Sequence, residues 1–255
     1  MIANYHTHTW RCNHAIGTEE EYVCAAIERG MKILGFSDHS PYCFPDDYNS
    51  GFRMKPEQTA DYAAVIRRLR DRYRSQIDIH VGMEMEYYPA FFAQTLSVLR
   101  DSGVEYLILG QHFLGNEIGE PYSGKPTDDE ERLRQYCRQA IDGMNTGLFT
   151  YVAHPDVFRF VGDPKVYQKH FRELCREARS CKMPLEINLL GLCEDRHYPN
   201  PLFWQIAAEE GCTAILGCDA HKPEALLDTE TEQRALAMAD RLGLKVVQTV
   251  ELKSI

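Results

Sequence analysis

The chain has 255 residues, 44% of them apolar, and a formal net charge of −10. The length suits one barrel-sized domain with an ample core. The acidic balance argues against generic binding to nucleic acid or an anionic membrane, which takes clustered lysine and arginine.

Nine cysteines, an odd number with no C-x-x-C pair, together with an N-terminus lacking a basic segment and apolar run, point to free thiols in a reducing cytoplasm. No stretch approaches the ~18 apolar residues of a membrane span. The chain opens on a short strand from Met1 or Ile2 into Tyr5-His6-Thr7-His8-Thr9-Trp10, with His14 close behind. Side chains alternate along a strand, so His6 and His8 share a face and can share a metal ion. Thr18 with Glu21 fits a capping box that opens a helix to about Arg29, stopped by Gly30. The strand Ile33–Phe36 ends in Ser37-Asp38-His39, and a loop from Ser40 to about Met54 follows. Pro56 opens a long helix with a buried stripe of Tyr62, Val65, Ile66, Leu69 and Tyr73. Its arginines at 67, 68, 70, 72 and 74 read as a solvated face, because no aromatic platform interleaves with them.

The third strand, Ile77–Met83, leads into Glu84-Met85-Glu86, and a helix runs to about Arg100. The fourth, Tyr106–Leu109, ends in Gly110-Gln111-His112. A second capping box, Thr127 with Glu130, opens a helix to about Asn145. The fifth strand, Tyr151–Ala153, ends in His154-Pro155-Asp156. Another helix precedes Pro184-Leu185-Glu186-Ile187-Asn188. A loop from Leu189 to Asn200 leads to Pro201 and a helix ending near Gly211. The seventh strand, Thr213–Gly217, runs into Cys218-Asp219-Ala220-His221, where two ligand-type residues again lie two apart. A helix from about Thr231 to Leu242 and a short Val246-Val247 strand finish the chain.

This alternation repeats about seven times without a low-complexity linker, so residues 1–255 form a single domain with a parallel sheet and helical crossovers. A closed barrel and an open sheet both fit the alternation. The polar residues decide between them. His6/His8, Asp38/His39, Glu84, His112, His154 and Asp219/His221 sit at carboxyl ends of different strands, and only a closed ring gathers those ends around one point. The expected fold is therefore an α/β, TIM-like barrel of about seven β/α units with its site at the C-terminal strand ends. Seven of the ten histidines (His6, His8, His14, His39, His112, His154, His221) lie at or just after a strand end. With Glu84 and Asp219 they make nine ligand-type side chains. Mixed imidazole and carboxylate ligands suit Zn, Mn or Fe at open catalytic sites. Nine are too many for one tetrahedral ion and match two or three, with a carboxylate bridging.

The HxH start, Ser-Asp-His after strand two, Gly-x-Glu after strand three, the histidine after strand four, His-Pro-Asp after strand five and the final Asp-x-His resemble the polymerase-and-histidinol-phosphatase (PHP) family. The resemblance runs in the family's order from His6 to His221. It implies a distorted seven-stranded barrel with a trinuclear metal centre. His6, His8, Glu84 and Asp219 would hold the first ion. Glu84 would bridge to a second held by His112 and His154, and His14, His39 and His221 would hold the third. Gly110-Gln111 stands where many members carry Ser and a small apolar residue.

Such a centre implies phosphate ester hydrolysis, with Glu84 and Asp219 serving as both ligands and catalytic groups. A water bridging two cations loses a proton near neutral pH, and the cations neutralise the phosphoryl oxygens. Arg159 and Arg196 look like the phosphate-binding arginines of stand-alone histidinol-phosphate phosphatases in the family, and Arg53 is a third candidate. The resemblance implies a cytoplasmic enzyme of histidine biosynthesis acting on a small phosphorylated substrate, L-histidinol phosphate, with neither nucleic acid nor membrane as partner and a homo-oligomer compatible. Two alternatives belong beside it. One is a phosphoesterase for nucleotides or small phosphodiesters; the other is a non-catalytic or proofreading-type module of a larger assembly. The acidic balance weighs against the first, and the undiminished ligand set weighs against the second.

The remaining polar residues have more local expectations. Asp38, on the opposite strand face from its ligand neighbour, is expected to support a ligand, and Glu86 to orient one. Asp156 would do the same or read a cationic substrate group. His80 is expected in the core and His170 on the surface; either His197 or a metal-bound water is expected to protonate the leaving alcohol. Asp46, Asp47 or Glu117 would pair with the substrate's ammonium.

Overall fold

Each apolar run is followed by a stretch of helical periodicity, and parallel pairing requires such a crossover. The computed structural model describes residues 1–45, 48 and 50–255; Asp46 and Asp47 lie outside the described residues. The elements run β1 (Ala3–Asn4), α1 (Glu19–Glu28), β2 (Ile33–His39), α2 (Thr59–Tyr73), β3 (Asp78–Met85), α3 (Phe92–Ser102), β4 (Tyr106–Leu109), α4 (Glu130–Asn145), β5 (Phe149–Val152), α5 (Pro164–Ser180), β6 (Leu185–Asn188), α6 (Leu189–Cys193), α7 (Pro201–Glu209), β7 (Thr213–Gly217), α8 (Thr229–Leu242) and β8 (Lys245–Val247). Every neighbouring pair in the order β1 to β8 is parallel.

The sheet curls until its first and seventh strands meet. Beyond β1 the backbone of Thr7 bridges to Ala220. His8 N donates to the Ala220 carbonyl at 2.9 Å, Ala220 N to the His6 carbonyl at 3.2 Å, and Ser37 N to the Thr7 carbonyl at 2.8 Å. The metal-type histidines thus sit on the seam that closes a ring of seven strands. Among the described residues β8, the Val246-Val247 segment, pairs only with residues 213–215 of β7, outside that ring. The barrel interior is plugged by Ala3, Tyr5, Tyr106, Ile108, Tyr151, Ala153 and Ile215. Tyr106 donates its hydroxyl to the Tyr5 carbonyl at 2.8 Å. A larger core fills the space between strands and helices, with Phe36, Val81, Leu107 and Leu216 facing out toward Tyr62, Ile66, Tyr136, Phe171 and Trp204. Each such side chain contributes about 1.5–3 kcal/mol by leaving water.

Some local expectations are corrected. The Thr18–Glu21 box forms, but α4 is capped by Asp129, whose Oδ1 accepts from Glu131 N and Arg132 N. Thr127 is held in extended backbone by a bridge to Phe160, so it stands too early in the chain to cap. The loop after β6 begins as a helix, α6. His80 is half-exposed beside Asp78 and Glu105 at the base of β3, not in the core. His170 is buried, because it shares the inner face of α5 with Tyr167, Phe171 and Leu174 at helical spacing. Its Nε2 lies 3.1 Å from Glu130 Oε1. The nine cysteines are all unpaired. Among the described residues no helix is long and apolar enough to cross a membrane.

Candidate metal centre

Glu84 stands at the end of β3, in register with His39 at the end of β2. Its two oxygens face different neighbours. Oε1 lies 2.7 Å from His154 Nε2 and 3.4 Å from His112 Nε2. Oε2 lies 2.9 Å from His39 Nδ1 and 3.6 Å from Nε2 of both His6 and His8. Asp219 Oδ1 lies 3.0 Å from His8 Nε2 and 3.4 Å from His6 Nε2. Ligands around one tetrahedral zinc sit about 3.3 Å apart, given bonds of ~2.0 Å, so the separations of 3.0–3.6 Å also fit donors that share an ion, while the 2.7 Å between His154 and Glu84 is a hydrogen-bond distance. Donor atoms gather within 4.8 Å of one another in several sets, among them His6-His8-Asp219, His6-Glu84-His154, His8-His39-Glu84 and His14-His39-His221.

Most of these rings have a fixed tautomer. His6 Nδ1 is 2.8 Å from Glu186 Oε2, and His112 Nδ1 is 2.8 Å from Glu86 Oε1. His14 Nδ1 donates to the Cys12 carbonyl at 2.7 Å, and His221 Nδ1 to the Asp219 carbonyl at 2.9 Å. His8 Nδ1 faces Asp38 Oδ1 at 3.4 Å. With the proton on Nδ1, Nε2 presents a lone pair. His6 Nε2, His8 Nε2, His221 Nε2, His39 Nδ1, His154 Nδ1 and Glu84 Oε2 are buried without a hydrogen-bond partner among the described residues. Each such orphan costs about 1–3 kcal/mol. Their concentration in one spot fits a cation as the common partner, and the donor set suits a divalent metal.

The electrostatics of the two carboxylates and of His39 and His221 agree with that reading. Burial alone would raise Glu84, but the surrounding imidazoles hold its carboxyl well below the usual range. Asp219 is likewise held down, against burial, chiefly by His6 and His8. Burial, reinforced by His8, pulls His39 well below its usual value and His221 to about 3, so both keep their lone pairs. Burial also opposes charge on His6, but Glu186, Asp219 and Glu84 outweigh it and raise the ring to about 10, so a cation at its Nε2 has to displace a proton.

The backbone makes room for this crowding. A Cβ on Gly110 would meet Glu84 Oε1 at 2.0 Å, and one on Gly217 would meet Glu186 Oε2 at 2.2 Å. His154 and Asp219 adopt φ of 28° and 49°, a left-handed backbone that non-glycine residues adopt at functional sites at a cost of about 1–3 kcal/mol.

Above the cluster opens a cavity of about 530 Å³, within the ~300–1,000 Å³ range of small-molecule sites. Its floor includes His14, His39, Glu84, His112, His154, Asp219 and His221. Its walls are Phe52, Phe113, Tyr122, Leu190, Glu194, Arg196 and Tyr198. Arg196 is braced by Glu194 through Nε (2.8 Å) and Nη2 (2.6 Å), and its Nη1 donates to the Tyr198 hydroxyl at 2.7 Å.

Other expected site residues fall elsewhere. Arg159 is exposed and not among the cavity-lining residues. His197 also stands off the cavity, with Nε2 2.8 Å from the Val157 carbonyl. Burial lowers its pKa, and the neighbouring guanidinium groups of Arg159 and Arg196 lower it further, so it is a neutral ring already committed to a carbonyl rather than an acid over the leaving group. Arg53 is buried between Glu86 and Glu117, so its guanidinium is committed to them, and Glu117 is buried and not among the cavity-lining residues. Asp156 accepts from Asn200 N beneath the loop, and burial pushes its carboxyl up to about 7. Among the described residues no hydrogen bond joins it to a histidine of the cluster. Asp38 and Glu86 brace His8 and His112 as expected. Sequence reasoning passed over Glu186, Asn188, Tyr122 and Tyr198. The signal for the first two was present: polar residues two apart in an otherwise apolar strand of a parallel sheet.

The sequence pattern of the PHP domain matches residues 4–189. The chain is 31% identical over 232 residues to a probable histidinol-phosphatase of Deinococcus radiodurans, covering 87% of each chain. It is 30% identical over 252 residues to the histidinol-phosphatase of Bacillus subtilis, covering 85% of this chain and 92% of that one. It also shares its fold with the crystal structure of histidinol phosphate phosphatase from Lactococcus lactis complexed with zinc, L-histidinol and phosphate, at a TM-score of 0.75 and 20% identity over 98% of this chain and 96% of that one. The match over most of the β-strand ends that carry the cluster, and the identity kept along nearly the whole length of a curated relative, make this chain a member of the PHP family.

Proposed function

We propose that the chain hydrolyses L-histidinol phosphate to L-histidinol and phosphate, using two to three divalent cations. The observation that carries this reading is the convergence of nine imidazole and carboxylate side chains, several with orphaned buried donor atoms, under a cavity walled by one arginine and four aromatic rings. Relatives named for that reaction span 85–87% of the chain. His6, His8, Glu84 and Asp219 would hold one ion, Glu84 with His112 and His154 a second, and His14, His39 and His221 a third. Zinc, manganese and iron all suit such ligands.

When bound, the cations supply a water deprotonated near neutral pH and a sink for phosphoryl charge. The chain's own groups do the rest. Glu84 and Asp219 stay ionised. Arg196, pre-braced by Glu194, offers its guanidinium fork to phosphate oxygens, and Arg159, an exposed side chain close enough to His197 to act on it electrostatically, is the second candidate cation. Phe52, Phe113 and Tyr122 give flat apolar faces to the imidazole end of the substrate. The test is phosphate release from a panel of monoesters and diesters, with the enzyme loaded separately with Zn, Mn and Fe. Histidinol phosphate should lead in kcat/KM by about 10² or more, the discrimination of a site built to pair with substrate polar groups. Equal turnover across the panel would remove the substrate assignment.

A further inference from the structure

We propose that Asn188, at the end of β6, is a positioning residue that ties the first-ion ligands to the arginine that binds phosphate. The inference rests on the functional reading above. Asn188 is 1% exposed, and every polar atom of its amide is engaged. Nδ2 donates to Glu186 Oε1 at 2.8 Å and to Asp219 Oδ2 at 3.1 Å. Glu186 in turn fixes the His6 ring, and Asp219 faces His6 and His8. One NH₂ group thus holds a carboxylate that orients a ligand together with a carboxylate that is one. The amide's other end faces away. Oδ1 accepts from Gly191 N at 2.8 Å and so caps α6. Gly191 then accepts, through its carbonyl, from Arg196 N at 2.9 Å, while Glu194 N donates to the Leu190 carbonyl at 3.0 Å. These bonds set the short helix and the turn after it that carry Leu190, Glu194 and Arg196 to the cavity.

The orientation of the amide has one solution. Turned over, it would set its oxygen against two carboxylates and its NH₂ against a backbone N–H. Neither aspartate nor leucine, the isosteres nearest in size, satisfies both ends. Aspartate would place charge against Glu186 and Asp219, and leucine would abandon the cap.

The two duties are separable by substitution. In Asn188→Ser the hydroxyl can still accept from Gly191 N but is too short to reach both carboxylates. The variant should bind zinc about 10–100-fold more weakly, the usual loss when a ligand's outer partner is removed. Its Kd for inorganic phosphate, titrated calorimetrically at saturating zinc, should stay within about twofold of the wild type while the cap survives. Asn188→Ala loses both ends. It should show the same zinc defect and, in addition, a phosphate Kd raised about fivefold, the effect of one lost cap on the placement of Arg196. If zinc and phosphate binding fall together in the serine variant, or neither moves in the alanine variant, the coupling role is wrong. Should the serine variant not fold, Glu186→Gln keeps the shape and the contact with Asn188, and must weaken zinc alone; loss of both ligands there overturns the proposal. Wild-type chain is titrated first. If it binds zinc and phosphate but does not turn over histidinol phosphate, only the substrate reading fails and the Asn188 test still decides; if it binds no zinc, both fail.

Discussion

Nη2 of Arg53 lies 2.6 Å from Oε1 of Glu86, the same oxygen that receives His112 Nδ1 at 2.8 Å. The guanidinium also donates from Nε to Glu117 at 2.6 Å and from Nη1 to the Ser40 carbonyl at 3.1 Å. Arg53 therefore pins the loops after β2 and β4 together and steadies, through Glu86, the orientation of the His112 ring. Arg53→Met leaves two buried carboxylates without their cation, a loss of about 3–5 kcal/mol. For a chain of this size that lowers Tm by about 10 °C. Cation affinity should fall with it, while phosphate affinity at saturating cation stays unchanged. A selective loss of phosphate binding would instead make Arg53 a substrate ligand.

The two loop arginines should behave differently. Arg196 lines the cavity with its fork held in place, and charged hydrogen bonds of ~1.5–3 kcal/mol each put the effect of Arg196→Met at about 10²-fold or more in kcat/KM. Arg159 is exposed and does not line the cavity, so its charge acts mainly on encounter rate. Arg159→Met should reduce kcat/KM by less than about tenfold and flatten its salt dependence. Equal collapse in both variants would mean that Arg159 swings into the cavity when phosphate arrives.

His197 gives a sharper contrast with expectation. Its Nε2 proton is directed at the Val157 carbonyl, and the neutral ring has nothing to offer an alkoxide across the cavity wall. Removing a general acid costs about 10²–10⁴-fold, whereas His197→Gln, which keeps a donor for Val157, should leave kcat within a few-fold of the wild type. A fall into the general-acid range would return the catalytic role to this residue.

What was readable in the chain, and what was not, follows from the range of the interactions. The paired spacing of His6 with His8 and of Asp219 with His221, each at the end of an apolar run, reports a strand end directly, so the convergence of ligands was legible. So was the barrel, because ligands at the ends of so many strands fit no open sheet. Direction within loops was not. Arg159, Arg53 and His197 all belong to loops near the site, but whether a loop side chain turns in, out or under depends on partners far along the chain, such as Glu117 for Arg53 and Val157 for His197. Periodicity would have placed His170 on the buried face of α5; mixed charge on the opposite face masked it.

The orphaned donors make cation binding a stability term. Cations that bind the folded chain alone, at about 1,000-fold above their Kd, add about 4 kcal/mol. Stripping them with a chelator should therefore lower Tm by about 10 °C, reversibly on adding back zinc or manganese. Coincident melting curves for stripped and reloaded chain would mean that the cluster holds no ion at working concentrations.

The base of the barrel should show its own pH dependence, independent of the metals. Glu105 accepts from Val81 N at 3.1 Å and from Arg70, and His80 Nδ1 lies 3.5 Å away. Partial burial pushes its carboxyl up, but His80 and Arg70 outweigh that and bring it to about 2 from an ordinary 4.5. For an acid whose folded value is depressed, the stabilisation is fully present above the unfolded value and is lost as pH falls through the folded one. The group is half-exposed, so screening leaves about 1 kcal/mol. Glu105→Gln should then melt about 2–4 °C below the wild type at pH 7, with the gap closing as pH drops from about 4.5 toward 2. The comparison is best made on metal-free chain, where the titration of bound cations does not intrude. A gap that stays constant across that window would show that Glu105 contributes packing or backbone hydrogen bonding, and not charge, to the anchoring of β3 against the start of β4.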